Sequence, residues 1–160
     1  MVLLLKNLLF TFVVPGTVAV LVPRLIASLV HVSPDPPLVL AFVLFASGGG
    51  TYAWCVWDFA SFGRGTPAPI DAPKKLVIRG LYRFTRNPMY LGVLTVILAW
   101  GVYFQAAALA AYAAIVAACF HLFVVLYEEP HLEREFGDEY VSYRSEVGRW
   151  LPTTPRKSTA

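Results

Sequence analysis

Apolar positions in this chain come in long unbroken runs, without the spacing of a one-sided helix or the alternation of a half-buried strand. The runs predict four membrane-crossing helices: Leu3 to Val22, Leu38 to Phe62, Met89 to Phe104 and Ala106 to Tyr127. A bilayer core ~30 Å thick takes about 20 residues at ~1.5 Å of rise each, so the third run is short for a span. Only Gln105 separates it from the fourth, which predicts a tight helical hairpin. Between the second and third runs lies Gly63 to Pro73, stiffened by three prolines and expected to run along the membrane surface. Past the fourth run, Glu128 to Phe136 can continue the helix, with Leu132 and Phe136 one turn apart on one face. Gly137 should end it, and Asp138 should N-cap a further helix on which Tyr140, Tyr143 and Val147 share a face. Trp150-Leu151-Pro152 then anchors this tail at the interface, and the last eight residues are expected to fray.

The expected fold class is therefore all-α. It is a polytopic membrane protein of about four transmembrane helices, the last two a hairpin, ending in a cytoplasmic amphipathic helical segment. One domain covers 1–160: two spans in 1–62, a cytoplasmic loop in 63–88, the hairpin in 89–127 and a closing segment in 128–152.

Composition agrees: 58% of residues are hydrophobic and mean hydropathy is +0.62, which excludes an ordinary soluble domain. Lys6 ahead of an apolar run resembles the start of a signal peptide. No polar secreted-type domain follows it, and no small-residue cleavage site, so a retained first helix is expected. Of 13 Lys and Arg, all but Arg24 fall at Lys6, between Arg64 and Arg86, or from Arg134 onward. Four crossings put those regions on one side, and the excess of positive charge makes it the cytoplasm, with both termini there and the chain in the inner membrane. The net charge of +3 is thus a topology signal, and no nucleic-acid footprint is present. Cys55 and Cys119 sit inside apolar runs, and neither a disulfide framework nor metal-ligand spacing is found.

Within the spans, Pro15 predicts a kink in the first. Gly48-Gly49-Gly50 in the second costs a helix ~1 kcal/mol per residue against alanine. Either close packing through an Ala46, Gly50, Trp54 stripe or room for a lipid tail would account for it. Asp58, near the end of this span, is expected to be neutralised by Arg64.

The chemistry gathers at two polar clusters. Asn87-Pro88 starts a helix, since asparagine caps well and proline suits the first position; such a start offers free N–H groups to a carboxylate. Arg79, Arg83 and Arg86, spaced by four and three, share a face if that segment is helical, and serve either lipid headgroups or a ligand. Tyr82 and Tyr90 supply aromatic walls or hydroxyls. Glu128 and Glu129 follow a long uncharged run and sit at a helix end that disfavours anions. Arginines on the same side are their natural partners. Adjacent residues point about 100° apart, so one glutamate can pair with arginine while the other faces ligand. His121 and His131 are read as packing and interfacial residues. No G-x-G-x-x-G after a strand, P-loop, H-E-x-x-H or G-x-S-x-G occurs.

At this level the chain resembles the isoprenylcysteine carboxyl methyltransferase and phospholipid methyltransferase family. The likeness rests on Arg79-Gly80-x-Tyr82-Arg83-x-x-Arg86-Asn87-Pro88-x-Tyr90-x-Gly92, then Glu128-Glu129-x-x-Leu132-x-x-x-Phe136-Gly137-x-x-Tyr140-x-x-Tyr143-Arg144, and last Val147-x-Arg149-Trp150-Leu151-Pro152. It covers roughly the last half of the chain. The resemblance implies an integral membrane enzyme using S-adenosylmethionine, with its pocket between the last two spans and the C-terminal segment and its lipid acceptor arriving from the bilayer. By position, Tyr82, Arg86, Asn87, Pro88, Tyr90, Glu128, Glu129 and Arg144 would contact the cofactor. Arg86, Glu129 and Arg149 would serve the reaction, and no metal is implied. Many family members carry histidine where this chain has Asn87, which cannot titrate near neutral pH, so an acid–base role there is not expected. Carboxyl O-methylation of an isoprenylcysteine-type substrate is the first expectation, with an arginine orienting the carboxylate. Phospholipid N-methylation, with Glu128 or Glu129 as base, is the alternative. A non-enzymatic lipid-binding or scaffold role stands outside both. Membrane sterol reductases have a similar C-terminal arrangement, but this chain is too short for their additional spans.

Overall fold

The computed structural model describes residues 13–30, 36–63 and 75–153. Lys6, the start of the first apolar run, Arg64, most of the proline-rich loop and the final seven residues lie outside them.

Among the described residues the fold is all helical. Helix α1 (Val13–Leu29) continues seven residues past Val22, where the apolar run had been taken to end at Pro23. The difference lies in a wide π-helical turn, Thr17–Leu21, just ahead of the proline. Pro23 then falls in the first turn of a fresh α-helical segment, where a missing N–H is harmless. Trp100 Nε1 donates to the Ala19 carbonyl at 2.9 Å and the Tyr112 hydroxyl to that of Val18 at 2.9 Å. These bonds lock α1 onto its neighbours through carbonyls of the irregular turn.

Helix α2 (Leu38–Asp58) ends in a second π turn, Phe59–Gly63. Helix α3 (Pro88–Phe104) crosses it at backbone contact. A Cβ on Gly48 would lie 2.8 Å from the Gly92 carbonyl oxygen, and one on Gly92 would lie 2.9 Å from that of Gly48. The packing expected of the glycine-rich stretch is therefore real but belongs to Gly48. Ala46, Gly50 and Trp54, the expected stripe, are all exposed. Gln105, at φ 50°, reverses the chain into helix α4 (Ala107–Phe136), giving the expected hairpin. Val93, Ile97, Ala113 and Val116 form the core between α3 and α4, with Ala19 of α1 against them.

Two helices, Leu38–Phe62 and Ala107–Phe136, are long and apolar enough to cross a membrane; Val13–Leu29 and Pro88–Phe104 are shorter apolar helices. Only 17% and 22% of the two most apolar stretches are buried. That is the reverse of a soluble core helix, and the outward faces carry Phe42, Trp57, Ile115 and Leu126. In α4 the apolar portion ends at Tyr127, and Glu128–Phe136 is a polar extension beyond it.

Gly137, at φ 51°, breaks α4 as expected, and α5 (Asp138–Glu146) folds back. Tyr140, Tyr143 and Val147 pack together with Leu132, Phe136 and Leu76. The chain after α5 lies along residues 84–87. The Arg86 amide donates to the Gly148 carbonyl at 2.9 Å, and the Thr153 amide to that of Phe84 at 2.7 Å. This strap brings the end of the described chain over the start of α3.

Candidate functional site

Three irregular pieces of backbone build one polar end of the bundle. The first is the segment entering α3. It holds a short 3-10 turn, Gly80–Arg83, in place of the longer helix that would have aligned Arg79, Arg83 and Arg86. Those arginines consequently part company. Arg79 Nε lies 3.2 Å from Asp58 Oδ1 and its guanidinium stacks on Phe62, while Arg64, expected to neutralise Asp58, lies outside the described residues. Gly80 takes φ 56° where a Cβ would collide with the Asp58 carboxylate, so only glycine fits that bend. Arg83 is exposed, whereas Arg86 turns inward.

The second piece is a π turn, Val124–Glu128, in α4. The extra residue of such a turn re-aims the side chains after it, and turns of this kind recur at functional sites. Here it sets the two glutamates on different tasks. Glu129 is buried between two guanidinium groups. Arg149 grips it bidentately, Nε to Oε1 at 2.6 Å and Nη2 to Oε2 at 2.9 Å, while Arg86 Nη1 approaches Oε1 at 2.9 Å. Burial alone would raise its carboxyl, but the bond from Arg149 and the charges of Arg86, Arg149 and Arg144 outweigh it and hold Glu129 below the usual carboxylate range. Glu128 instead accepts a hydrogen bond from the Tyr90 hydroxyl at 2.9 Å. Burial pushes its carboxyl up, the Glu129 charge adds to the rise, and the Tyr90 bond offsets part of it.

The third piece is the strap. Asn87 precedes Pro88 at the start of α3, but its side chain makes no helix cap. Its Nδ2 donates to the Arg149 carbonyl at 3.1 Å, beside the Thr85 hydroxyl, which donates to the same oxygen at 3.1 Å. The α3 start thus holds the backbone of the residue whose side chain holds Glu129.

Between these pieces lies a cavity of about 90 Å³ lined by Tyr82, Arg86, Asn87, Tyr90 and Glu128 on its polar side and by Pro15, Tyr52, Phe59, Met89, Val93 and Phe120 on its apolar side. Of the expected site residues, these five polar ones come together on one surface. Glu129 and Arg149 stand behind Arg86. Pro88 is buried but borders a different crevice. Arg144 does not line the cavity; it is half-exposed on α5, with Nη1 2.8 Å from Glu133 Oε2. Tyr82 serves as a wall, since its hydroxyl is hydrogen-bonded to the Cys55 thiol and its carbonyl accepts from the Tyr143 hydroxyl at 2.7 Å.

Sequence reasoning missed several contributors. The Tyr140 hydroxyl accepts from Arg86 Nη1 at 3.1 Å; on sequence it read only as part of an apolar face. Trp150 Nε1 donates to His121 Nδ1 at 3.1 Å, tying the strap to α4. Phe120 packs on Tyr90 with ring centroids 4.6 Å apart, and nothing set it apart from the other apolar residues of its run.

An apolar-surfaced helical bundle with a cation–carboxylate chamber at one end is suited to polar chemistry on membrane-borne molecules. Residues 37–139, well over half of the chain, match the family described as phospholipid methyltransferase, and the chain belongs to that family. It is accordingly a membrane methyltransferase acting on lipids. A protein of Haemophilus influenzae (strain ATCC 51907 / DSM 11121 / KW20 / Rd), described as uncharacterized, is 36% identical over 63 residues, 39% of this chain and 100% of that protein.

Proposed function

We propose that the protein transfers a methyl group from S-adenosylmethionine to a lipid-borne nucleophile at the Arg86–Glu128 chamber, with four helices spanning the membrane and the chamber facing the cytoplasm. The donor set fits the cofactor. Arg86 Nε is buried without a hydrogen-bond acceptor among the described residues, as a carboxylate-binding group requires. Glu128 suits an ammonium or ribose hydroxyls, and Tyr82 and Tyr90 present rings. The cavity proper is smaller than the ~300–1,000 Å³ of typical small-molecule sites. It adjoins a groove of about 710 Å³ that shares Pro15, Tyr52 and Val93, so the chamber can widen in that direction.

S-adenosylmethionine supplies an electrophilic methyl group on a sulfonium. The protein's own work is alignment, exclusion of water and control of one proton. Alignment of the reacting atoms can supply about 7–11 kcal/mol of barrier reduction. Arg86, fixed by Glu129 and Tyr140, offers Nε at a set position. Glu128, more basic than an ordinary carboxylate and held by Tyr90, faces the cavity and can take a proton from an ammonium acceptor, freeing the nitrogen lone pair for attack.

That glutamate is the observation favouring an amine acceptor of the phosphatidylethanolamine type. Glu129, clamped by two arginines, is not available as a base. A carboxylate acceptor of the isoprenylcysteine type needs no base but does need a cation. Arg149 is engaged by Glu129, which leaves Arg86 Nε as the observation favouring this second reading. Incubation of the purified protein with methyl-labelled cofactor and either phosphatidylethanolamine or N-acetyl-S-farnesylcysteine tests both, and label in neither lipid overturns them. Calorimetry with S-adenosylhomocysteine tests the enzymatic reading itself: a non-enzymatic lipid-binding protein would give no heat of binding.

A further inference from the structure

The glycine triplet in α2 is only partly explained by helix packing. Gly48 meets the backbone of α3, but a Cβ on Gly49 or Gly50 would have nothing within 4 Å. A helix carries such glycines at a cost of ~1 kcal/mol each against alanine, so Gly49 needs another reason. It lines the groove between α1 and α2, opposite Thr17, Val20, Arg24 and Leu25 of α1. Gly50 is equally open but does not border the groove, and nothing in the structure explains it.

The groove is apolar along most of its length and runs into the catalytic chamber through Pro15, Tyr52 and Val93. From Pro15 to Arg24 the helix rises roughly 14 Å at ~1.5 Å per residue. One end therefore opens on Glu128 and Tyr90, and the lining continues past Arg24 to Leu25 and Ser28. This path is open to the hydrocarbon tail of a molecule whose polar head lies in the chamber.

We propose that the groove holds the hydrocarbon chain of the methyl acceptor and that Gly49 is the residue that keeps it open, so that a side chain there would select against long-chain acceptors. The inference rests on the lipid methyltransferase reading above and specifies how the tail is held.

The test uses phosphatidylethanolamine carrying a diazirine near the end of one acyl chain, mixed with full-length protein in vesicles and irradiated. Wild type and Gly50→Leu should label α1 between Thr17 and Ser28. Gly49→Leu should lose that labelling at least about tenfold while keeping the wild-type melting temperature and S-adenosylhomocysteine affinity. Leu25→Trp fills the groove from the α1 side and should have the same effect if Gly49→Leu does not fold. Equal labelling in both groove-filling variants, or labelling spread over the outer faces of α2 and α4 as bulk lipid would give, overturns the proposal. Failure of the wild type to bind S-adenosylhomocysteine would instead overturn the enzymatic reading, because the labelling pattern does not depend on the cofactor.

Discussion

Arg149 and Glu129 form a two-pronged ion pair, at 2.6 and 2.9 Å, that ties the strap after α5 to the end of the apolar part of α4. Because Arg86 shares the same carboxylate, the pair also fixes the guanidinium that lines the chamber. Glu129→Gln should therefore release Arg86 as well as the strap. Charge-assisted hydrogen bonds of this kind contribute about 1.5–3 kcal/mol, so S-adenosylhomocysteine affinity should fall about 10- to 100-fold by calorimetry. Arg149→Lys should not restore it, since an ammonium cannot make the paired contact. Wild-type affinity in either variant would show the pair to be incidental.

Glu128 carries an opposing demand. Its carboxyl is raised by burial, so its charged form is disfavoured in the folded protein near neutral pH. Glu128→Gln keeps a partner for Tyr90 and removes that penalty, so the melting temperature should rise. Methyl transfer to an amine acceptor should fall by about 10²-fold or more, the scale of a lost general base. Retained amine methylation in this variant would exclude Glu128 as the base and move the balance towards a carboxylate acceptor.

Much of this site was readable in the residues, and the unread parts share a cause. The arginine and glutamate clusters, Gly137 and the Tyr140–Tyr143–Val147 face announce themselves by charge or period. That Glu128 and Glu129 point to different partners was expected from the roughly 100° separation of neighbours on a helix. Which of them pairs with arginine was not, because the π turn before them sets their directions. Nor was the fate of Arg79 and Arg86, because it depends on a 3-10 turn and on a bend at Gly80 set by distant Asp58. Likewise, a run of apolar residues carries no periodic signal for π turns, so neither the extension of α1 past Pro23 nor the role of Phe120 could be read from it.

The lowered carboxyl of Glu129 makes stability pH-dependent with a definite sign. A group held below its unfolded value, about 4.3, stabilises the fold fully above that pH and loses its contribution as pH falls through the folded value. The melting-temperature gap between wild type and Glu129→Gln should be widest near neutrality and shrink in acid. Other carboxylates occur in both proteins, so the comparison isolates Glu129. A gap that stays constant down to about pH 3 would contradict the ion-pair account.

Gly48 and Gly50 should respond oppositely to the same change. Gly48→Ala places a methyl group 2.8 Å from the Gly92 carbonyl oxygen and must push α2 and α3 apart, at about 1–3 kcal/mol. Gly50→Ala meets open space and gains helix propensity, up to about 1 kcal/mol. Thermal unfolding in one detergent measures both, and similar shifts would mean that the crossing is not in backbone contact.

Asn87 offers the most direct check of how the strap is held, because its role is donation and not titration. Nδ2 gives a hydrogen bond to the Arg149 carbonyl, and the Asn87 backbone starts α3 without any side-chain cap. A histidine can present a ring N–H to the same oxygen. Asn87→His should therefore keep cofactor affinity within about threefold. Asn87→Asp removes the donor and sets a carboxylate against a carbonyl, and Asn87→Leu leaves that carbonyl with the Thr85 hydroxyl alone. Both should loosen the strap, costing about 1–3 kcal/mol for the altered buried polar contact, with faster amide exchange at Gly148 to Thr153. If Asn87→Leu exchanges no faster than wild type while Asn87→His does, the strap is held by something other than this bond.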